Sequence, residues 1–210
     1  MGKPVSISVI RRLPRYYRFL GELLKNDVRR ISSRELSLRM GLTASQIRQD
    51  LNCFGGFGQQ GYGYNVEALY NEIGHILGLD RSYKTILIGV GNLGRAVANH
   101  MQFSNNGYSL VGLFDSNEAI VGETVRDVTI MNMNNLEAFC NANKPDVAIL
   151  CTPRSATQHI ADKLVELGIR GFWNYSHYDI AMHHPQVAVE AVHLSDSLLT
   201  LCYKMGNLPE

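Results

Sequence analysis

The sequence is poor in the features that mark secreted, metal-bound or membrane-spanning chains. It holds one tryptophan, six prolines and four cysteines in 210 residues. Cys53, Cys140, Cys151 and Cys202 are scattered, with no C-x-x-C pair. That spacing argues against a disulfide framework and against a thiol switch, and reads as four small buried apolar residues. No Cys or His pair has the spacing of zinc ligands, so no metal is expected; His183 and His184 are adjacent but have no second pair nearby. No stretch approaches the ~20 consecutive apolar residues of a membrane-spanning helix. The opening residues lack the regions of a signal peptide, so a cytoplasmic protein is expected. Any redox response should then come from a ligand.

Charge is present but unevenly placed. Residues 1–50 hold eleven basic and four acidic side chains, a net of +7, inside a chain whose overall net charge is +1. The remainder must carry −6. Such asymmetry suggests that the basic part meets a polyanion while the rest does something else.

The character of the chain changes near residues 79–84. Before that point the pattern is helical. Leu13, Tyr16, Tyr17, Leu20, Leu23 and Leu24 share one stripe, Arg11, Arg12, Arg15 and Arg18 cluster at its start, and Pro14 begins or bends the helix. Ser32 and Glu35 fit a capping box opening a short helix with Leu36 and Met40 inward, and Gly41 supplies its left-handed stop. Thr43 to Gln46 fits a second capping box, and Ile47, Leu51 and Phe54 form the inner stripe of the next helix. Two short helices joined at Gly41–Leu42 make a helix-turn-helix candidate. Its second helix would present Ser45, Gln46, Arg48, Gln49 and Asn52 outward, and Arg and Gln can bond base edges in a major groove. The glycine-rich run from Gly55 to Val66 then suits a hairpin wing with Gln59 and Gln60 at the tip. Arg11, Arg12 and Arg15 suit phosphate or minor-groove contact better than base reading. Tyr16, Tyr17, Tyr62 and Tyr64 suit packing better than base stacking. A helix from about Val66 to Leu77 closes the segment.

After the break, strand-length apolar runs alternate with helical stretches, as in β-α-β units. Thr85 to Val90 is a buried strand running into Gly89-Val90-Gly91-Asn92-Leu93-Gly94, a G-x-G-x-x-G that opens the helix from Arg95. A second strand, Tyr108 to Phe114, ends in Asp115, where a ribose-binding carboxylate belongs. Gly89 permits the turn, Gly91 lets backbone N–H groups approach a pyrophosphate, and Gly94 allows close helix–strand packing; the helix N-terminus favours the phosphates. Asp115 would bond ribose hydroxyls and repel a 2′-phosphate, and Ser116 and Asn117 bring no arginine, so NAD(H) is expected over NADP(H). Val147 to Cys151 is another strand, with Thr152 and Pro153 at its ligand-side end. The strand near Gly171–Trp173 leads to Asn174 and Tyr175, two further cofactor candidates beside Arg95. A last amphipathic helix, from about His193, carries Leu194, Leu198, Leu201, Cys202 and Met205 and would seek a second chain.

Four motifs spanning nearly the whole chain resemble the redox-sensing transcriptional repressors of the Rex family. They are Arg11 to Arg18, Gln46 to Leu51, the wing Gly58 to Val66, and Gly89 to Gly94. The resemblance implies an α/β architecture: a winged-helix DNA-binding domain over residues 1–80, a Rossmann domain (parallel sheet, helices on both faces) over 81–192, and a C-terminal helix, 193–210, exchanged in a homodimer. It implies a repressor on pseudo-palindromic double-stranded operator DNA, released by NADH and permitted by NAD+, and genes of fermentation and NADH reoxidation as its targets. This sequence departs from the family at Gln49 and at Gln59-Gln60, where lysine or arginine is frequent. It also departs at His100 and His193, where the family carries a tyrosine and a carboxylate in its inter-domain switch with the residue at Arg18. Asp50 and Asp196 are alternative partners for Arg18.

The competing reading is a small NAD-dependent dehydrogenase. It would need a general acid or base, for which His100, His159 and His177 qualify by residue type alone. It would also need a substrate domain, and the basic helical segment ahead of the Rossmann part does not resemble one. No catalytic residue is assigned.

Overall fold

A computed structural model describes residues 5–55, 58–59 (backbone only), 63–101, 103 and 107–208. They form two compact units, Met1–Asp80 and Arg81–Glu210.

The first unit is helical with a small sheet. Its helices are α1 (Ile7–Ile10), α2 (Leu13–Lys25), α3 (Ser33–Met40), α4 (Ala44–Asn52) and α5 (Val66–Ile76). Strands β1 (Arg30–Ile31), β2 (Gly58–Gln59) and β3 (Gly63–Asn65) pair antiparallel in the order β1-β3-β2. Pro14 sits in the first turn of α2, where its missing N–H costs nothing. The Ser32–Glu35 capping box is complete. At the second cap Thr43 accepts from the Gln46 N–H, but the Gln46 side chain turns away to Asp50, so that box is only half made. Gly41 is left-handed at φ 61°, and the Leu42 N–H returns to the Ser37 carbonyl, closing α3 and turning the chain into α4.

Core residues Leu13, Tyr16, Leu20, Leu36, Met40, Ile47, Leu51, Leu69 and Ile73 bring α2 to α5 around one apolar centre. Phe54 lies past the end of α4 and is partly covered. Helices α2 and α5 approach through a reciprocal fit: Gly21 faces the Tyr70 ring, Gly74 faces the Tyr17 ring, and the two rings stack at 4.2 Å. The β2–β3 hairpin is the wing. Gly63 is obligatory there, because a Cβ would lie 2.6 Å from the Ile31 carbonyl oxygen at φ 70°. Gln60 and Tyr62 lie outside the described residues.

The second unit is a seven-stranded sheet. Its strands are β4 (Tyr83–Ile88), β5 (Tyr108–Asp115), β6 (Thr124–Val125), β7 (Val128–Asn132), β8 (Val147–Leu150), β9 (Gly171–Asn174) and β10 (Ala188–Ala191), in the order β10-β9-β8-β4-β5-β7-β6. All neighbours are parallel except β6, which forms an antiparallel edge on β7. Its helices are α6 (Asn92–His100), α7 (Leu136–Asn143), α8 (Arg154–Glu166), α9 (Ile180–His183) and α10 (Leu194–Met205).

Strand alternation divides the core into two layers. Ile86, Ile88, Phe114, Ala148 and Leu150 face α7 and α8; Leu87, Leu113 and Ile149 face α6. Helices therefore cover both faces, as the near-continuous apolar strands require. The chain leaves β4 to one side for β5 and returns to the other for β8. Their carboxyl ends thus flank the switch point of a doubly wound sheet, where such folds open a crevice.

The cysteines do not all behave as expected. Cys140 is buried and Cys151 partly so, but Cys53 and Cys202 are exposed, because each falls at a helix end or face that no described element covers.

Candidate functional site

The crevice is built by two loops in contact. Gly89, at φ 89°, lies so close to the loop after β8 that a Cβ would come within 2.6 Å of the Cys151 carbonyl oxygen. Gly94, inside the first turn of α6, is tighter: its Cβ would fall 1.9 Å from the Gly89 oxygen. Gly91 is the opposite case. It caps α6 with no side-chain hydrogen bond, and a Cβ there would meet nothing within 4 Å. The three glycines thus permit a turn, leave open space, and allow close packing. Gly91, Asn92 and Leu93 are exposed, so the first N–H groups of α6 face solvent uncapped, an arrangement that suits an anionic group.

Asp115, at the tip of β5, reaches across to this loop. Its Oδ2 accepts from the Val90 N–H at 2.6 Å and its Oδ1 from the Asn117 N–H at 2.8 Å. A carboxylate has about four acceptor sites, so two remain for hydroxyl groups. Val90 itself is buried, and its N–H is committed to Asp115. Arg95 pairs with Glu123, a partner ahead of β6 that periodicity did not single out.

On the other wall Thr152 meets the Thr157 hydroxyl at 2.9 Å, and Pro153 caps α8 without a side-chain bond. Asn174 departs from expectation. It is buried, its Nδ2 donates to the Tyr178 carbonyl, and its Oδ1 accepts from the N–H and hydroxyl of Ser176. Its amide shapes the 174–178 turn instead of facing the crevice. Tyr175 packs on Trp173 at 5.0 Å, and burial pushes its hydroxyl up to about 12. Burial likewise pushes the Cys151 thiol up to about 12, so it is an unreactive wall. A cavity of about 390 Å³ lies elsewhere, at the amino ends of β4 and β5 beside Arg81, Phe103 and Arg126.

In the first unit the outward face of α4 carries Ser45, Arg48, Gln49 and Asn52, all exposed; Arg48 donates to the Ser33 hydroxyl at 3.1 Å. Arg11 and Arg15 are exposed at the start of α2. Two residues expected on this surface are engaged instead. Arg12 makes a two-point pair with Asp50, from Nε at 2.6 Å and Nη2 at 2.8 Å. Gln46 donates to the same carboxylate at 2.8 Å. Tyr16 adds a third donor at 3.0 Å. Burial alone would raise the Asp50 carboxyl, but these donors hold it below the usual carboxylate range, and the same pairing raises Arg12.

Asp50 is wholly buried, and the hydrogen bonds it accepts come from Arg12, Tyr16 and Gln46, with none from Arg18. Of the other switch candidates, Arg18 is exposed on α2 and His100 ends α6 in solvent. His193 caps α10 and lies parallel to the His177 ring at 5.3 Å. Among the described residues no three His, Cys, Asp or Glu side chains converge to hold a metal, and no helix is long and apolar enough to cross a membrane.

Comparison with known proteins adds to this geometry. Residues 4–52 match the family described as "Putative DNA-binding protein N-terminus", and residues 80–178 match "CoA binding domain". A "Redox-sensing transcriptional repressor Rex" of Thermoanaerobacter sp. (strain X514) is 58% identical over 203 residues, 97% of this chain and 90% of the relative. The repressor of the same name from Clostridium beijerinckii is 52% identical over 205 residues, 98% and 97% of the two chains. Among solved structures, RSP in complex with β-NAD+ and operator DNA superposes with a TM-score of 0.89 at 56% identity, covering 97% of this chain and 94% of that one. RSP in complex with β-NADH gives the same TM-score at 53% identity, covering 97% and 95%.

Proposed function

The chain belongs to the Rex family of redox-sensing transcriptional repressors, and we propose that its crevice takes NAD(H) and so governs the hold of a homodimer on operator DNA. It is a repressor and not a dehydrogenase: relatives at more than half identity along nearly the full length are named as repressors. Acting on DNA, it works in the cytoplasm. The observation that carries the reading is the uncapped, open start of α6 beside the Asp115 carboxylate, in a chain whose other unit presents a helix-turn-helix and a wing.

The residues present fit a dinucleotide. The N–H groups of Asn92 and Leu93, with Arg95 one residue beyond Gly94, would hold the pyrophosphate. Asp115 would hold the adenosine ribose through its free acceptor sites, and Thr152, Pro153 and Tyr175 would line the nicotinamide end. The dinucleotide would supply the signal, since its oxidised ring is cationic and its reduced ring neutral. A wall of Tyr175, Trp173 and Cys151 offers little solvation to a cation and so favours the neutral form.

On the DNA side Ser45, Arg48, Gln49 and Asn52 face outward on α4 and would reach base edges. Arg11, Arg15 and the wing at Gln59 and Gln60 would follow the backbone. With glutamines at positions 49, 59 and 60, fewer phosphates are neutralised, so the salt dependence should be shallow. The C-terminal helix is assigned to the homodimer, exchanged with the second chain.

Titrating a palindromic operator with protein in NAD+ and in NADH tests the coupling. Affinity should be lower in NADH by about ten- to hundredfold, a typical allosteric coupling of roughly 1–3 kcal/mol. Equal affinities would end the proposal, because a ligand without state preference shifts nothing. A narrower prediction concerns the ribose. Asp115→Ala should weaken NADH binding by about ten- to hundredfold, the worth of hydrogen bonds to a charged group, and leave cofactor-free operator binding in place. Unchanged NADH affinity in calorimetry would remove Asp115 from the site.

A further inference from the structure

The pairing at Asp50 joins the two helices that matter for DNA binding. Asp50 lies on α4 between Ile47 and Leu51, on the face turned into the core, and its side chain is fully buried. Two of its donors, Arg12 and Tyr16, come from the start of α2, 38 and 34 residues away in sequence; the third, Gln46, is one turn back on α4. A buried carboxylate tolerates little loss of its partners, since an uncompensated buried charge is strongly destabilising. Helix α4 therefore cannot rotate or slide on α2 without breaking charge-assisted bonds of 2.6–2.8 Å. The same bonds direct the Gln46 amide inward, away from the surface that carries Ser45, Arg48, Gln49 and Asn52.

We propose that Asp50 is a positioning residue for operator reading: it fixes the pose of α4 against the arginine-bearing start of α2 and withdraws Arg12 and Gln46 from direct base contact. The proposal rests on the DNA-binding reading above and adds a division of labour to it. Phosphate contacts by exposed arginines supply affinity for any duplex, and the pose set through Asp50 supplies the preference for the operator.

Asp50→Asn keeps the size of the side chain, but it replaces one acceptor by a donor that faces Arg12 and Gln46. Binding to operator and to a random-sequence duplex of equal length is measured for both proteins, with thermal unfolding alongside. Operator affinity should fall by about thirtyfold or more, a modest part of the ~10³–10⁷ that separates specific from non-specific binding. Affinity for the random duplex should stay within about threefold, because the phosphate contacts survive. A parallel fall in both affinities, or no change in either, overturns the proposal. Gln46→Ala gives a second readout should Asp50→Asn not fold. On a panel of single-base operator variants it should lower affinity evenly, whereas loss of preference at one base pair would make Gln46 a base reader and sink the assignment. The wild-type operator titration tests the DNA-binding reading separately.

Discussion

Gly94→Ala should abolish dinucleotide binding, with a loss of about a thousandfold or more, equivalent to roughly 4 kcal/mol. The added methyl would stand 1.9 Å from the Gly89 oxygen and 3.2 Å from a Leu87 methyl. Neither neighbour can yield: one is backbone in the glycine turn, the other sits in the core beneath α6. The helix must move off β4, and overpacking of this kind costs about 1–3 kcal/mol or more in stability alone. The movement also carries the first N–H groups of α6 away from the place a pyrophosphate would occupy. Gly91→Ala is the informative control, since its methyl would meet nothing within 4 Å of protein. That variant should unfold at the wild-type temperature yet bind NADH more weakly, because the methyl would stand where the proposed site takes the phosphates. Cofactor-free operator binding should persist in both, as both glycines lie in the second unit. Fluorescence titration with NADH and a melting curve separate the cases. A Gly94→Ala protein that binds NADH like wild type would show that the fingerprint is not the phosphate site.

The glycine loop was legible in sequence because each glycine answers to a separate local constraint, and the flanking strand and helix patterns were long. The Ser32–Glu35 capping box, the Thr43 cap and Gly41 were legible for the same reason: caps act within four residues. What escaped was set by distance along the chain. In sequence Asp50 is an alternative partner for Arg18, although its place between Ile47 and Leu51 already puts it on the inner stripe of α4. Periodicity said that it was inside; only the fold could say that Arg12 and Tyr16 would meet it there. Gln46 was misplaced with it, since a capping-box position and a pairing one turn on compete for the same amide. In sequence Asn174 is a cofactor candidate at the end of its strand. The turn that follows consumes its amide completely. The β6–β7 hairpin and the Arg95–Glu123 pair left no signal, because a two-residue strand carries no period and an ion pair across 28 residues carries no spacing rule.

The final helix carries the second large effect. Leu194, Leu198, Leu199, Leu201, Tyr203 and Met205 are each at least half exposed, and no residue of α10 is buried. By contrast α2 and α8 each bury a stripe against their own unit. An isolated helix of this length is marginal in water, and its stability must come from covering an apolar face. Within the described residues nothing covers this one, which is why a second copy of the chain is the proposed occupant. Leu198→Asp combined with Leu201→Asp should then yield a monomer in sedimentation, since each buried leucine contributes about 1.5–3 kcal/mol and each new carboxylate would be buried unpaired. The consequence for DNA is larger than either side chain suggests. A dimer holding two half-sites gains about 10²–10⁴ in affinity from tethering alone. The double variant should lose that factor on the full palindrome and none of it on a single half-site, because α4 and its Asp50 pairing are untouched. A double variant that remains dimeric and keeps full operator affinity would place the interface elsewhere. One that becomes monomeric with palindrome affinity intact would show that the two reading helices never acted together.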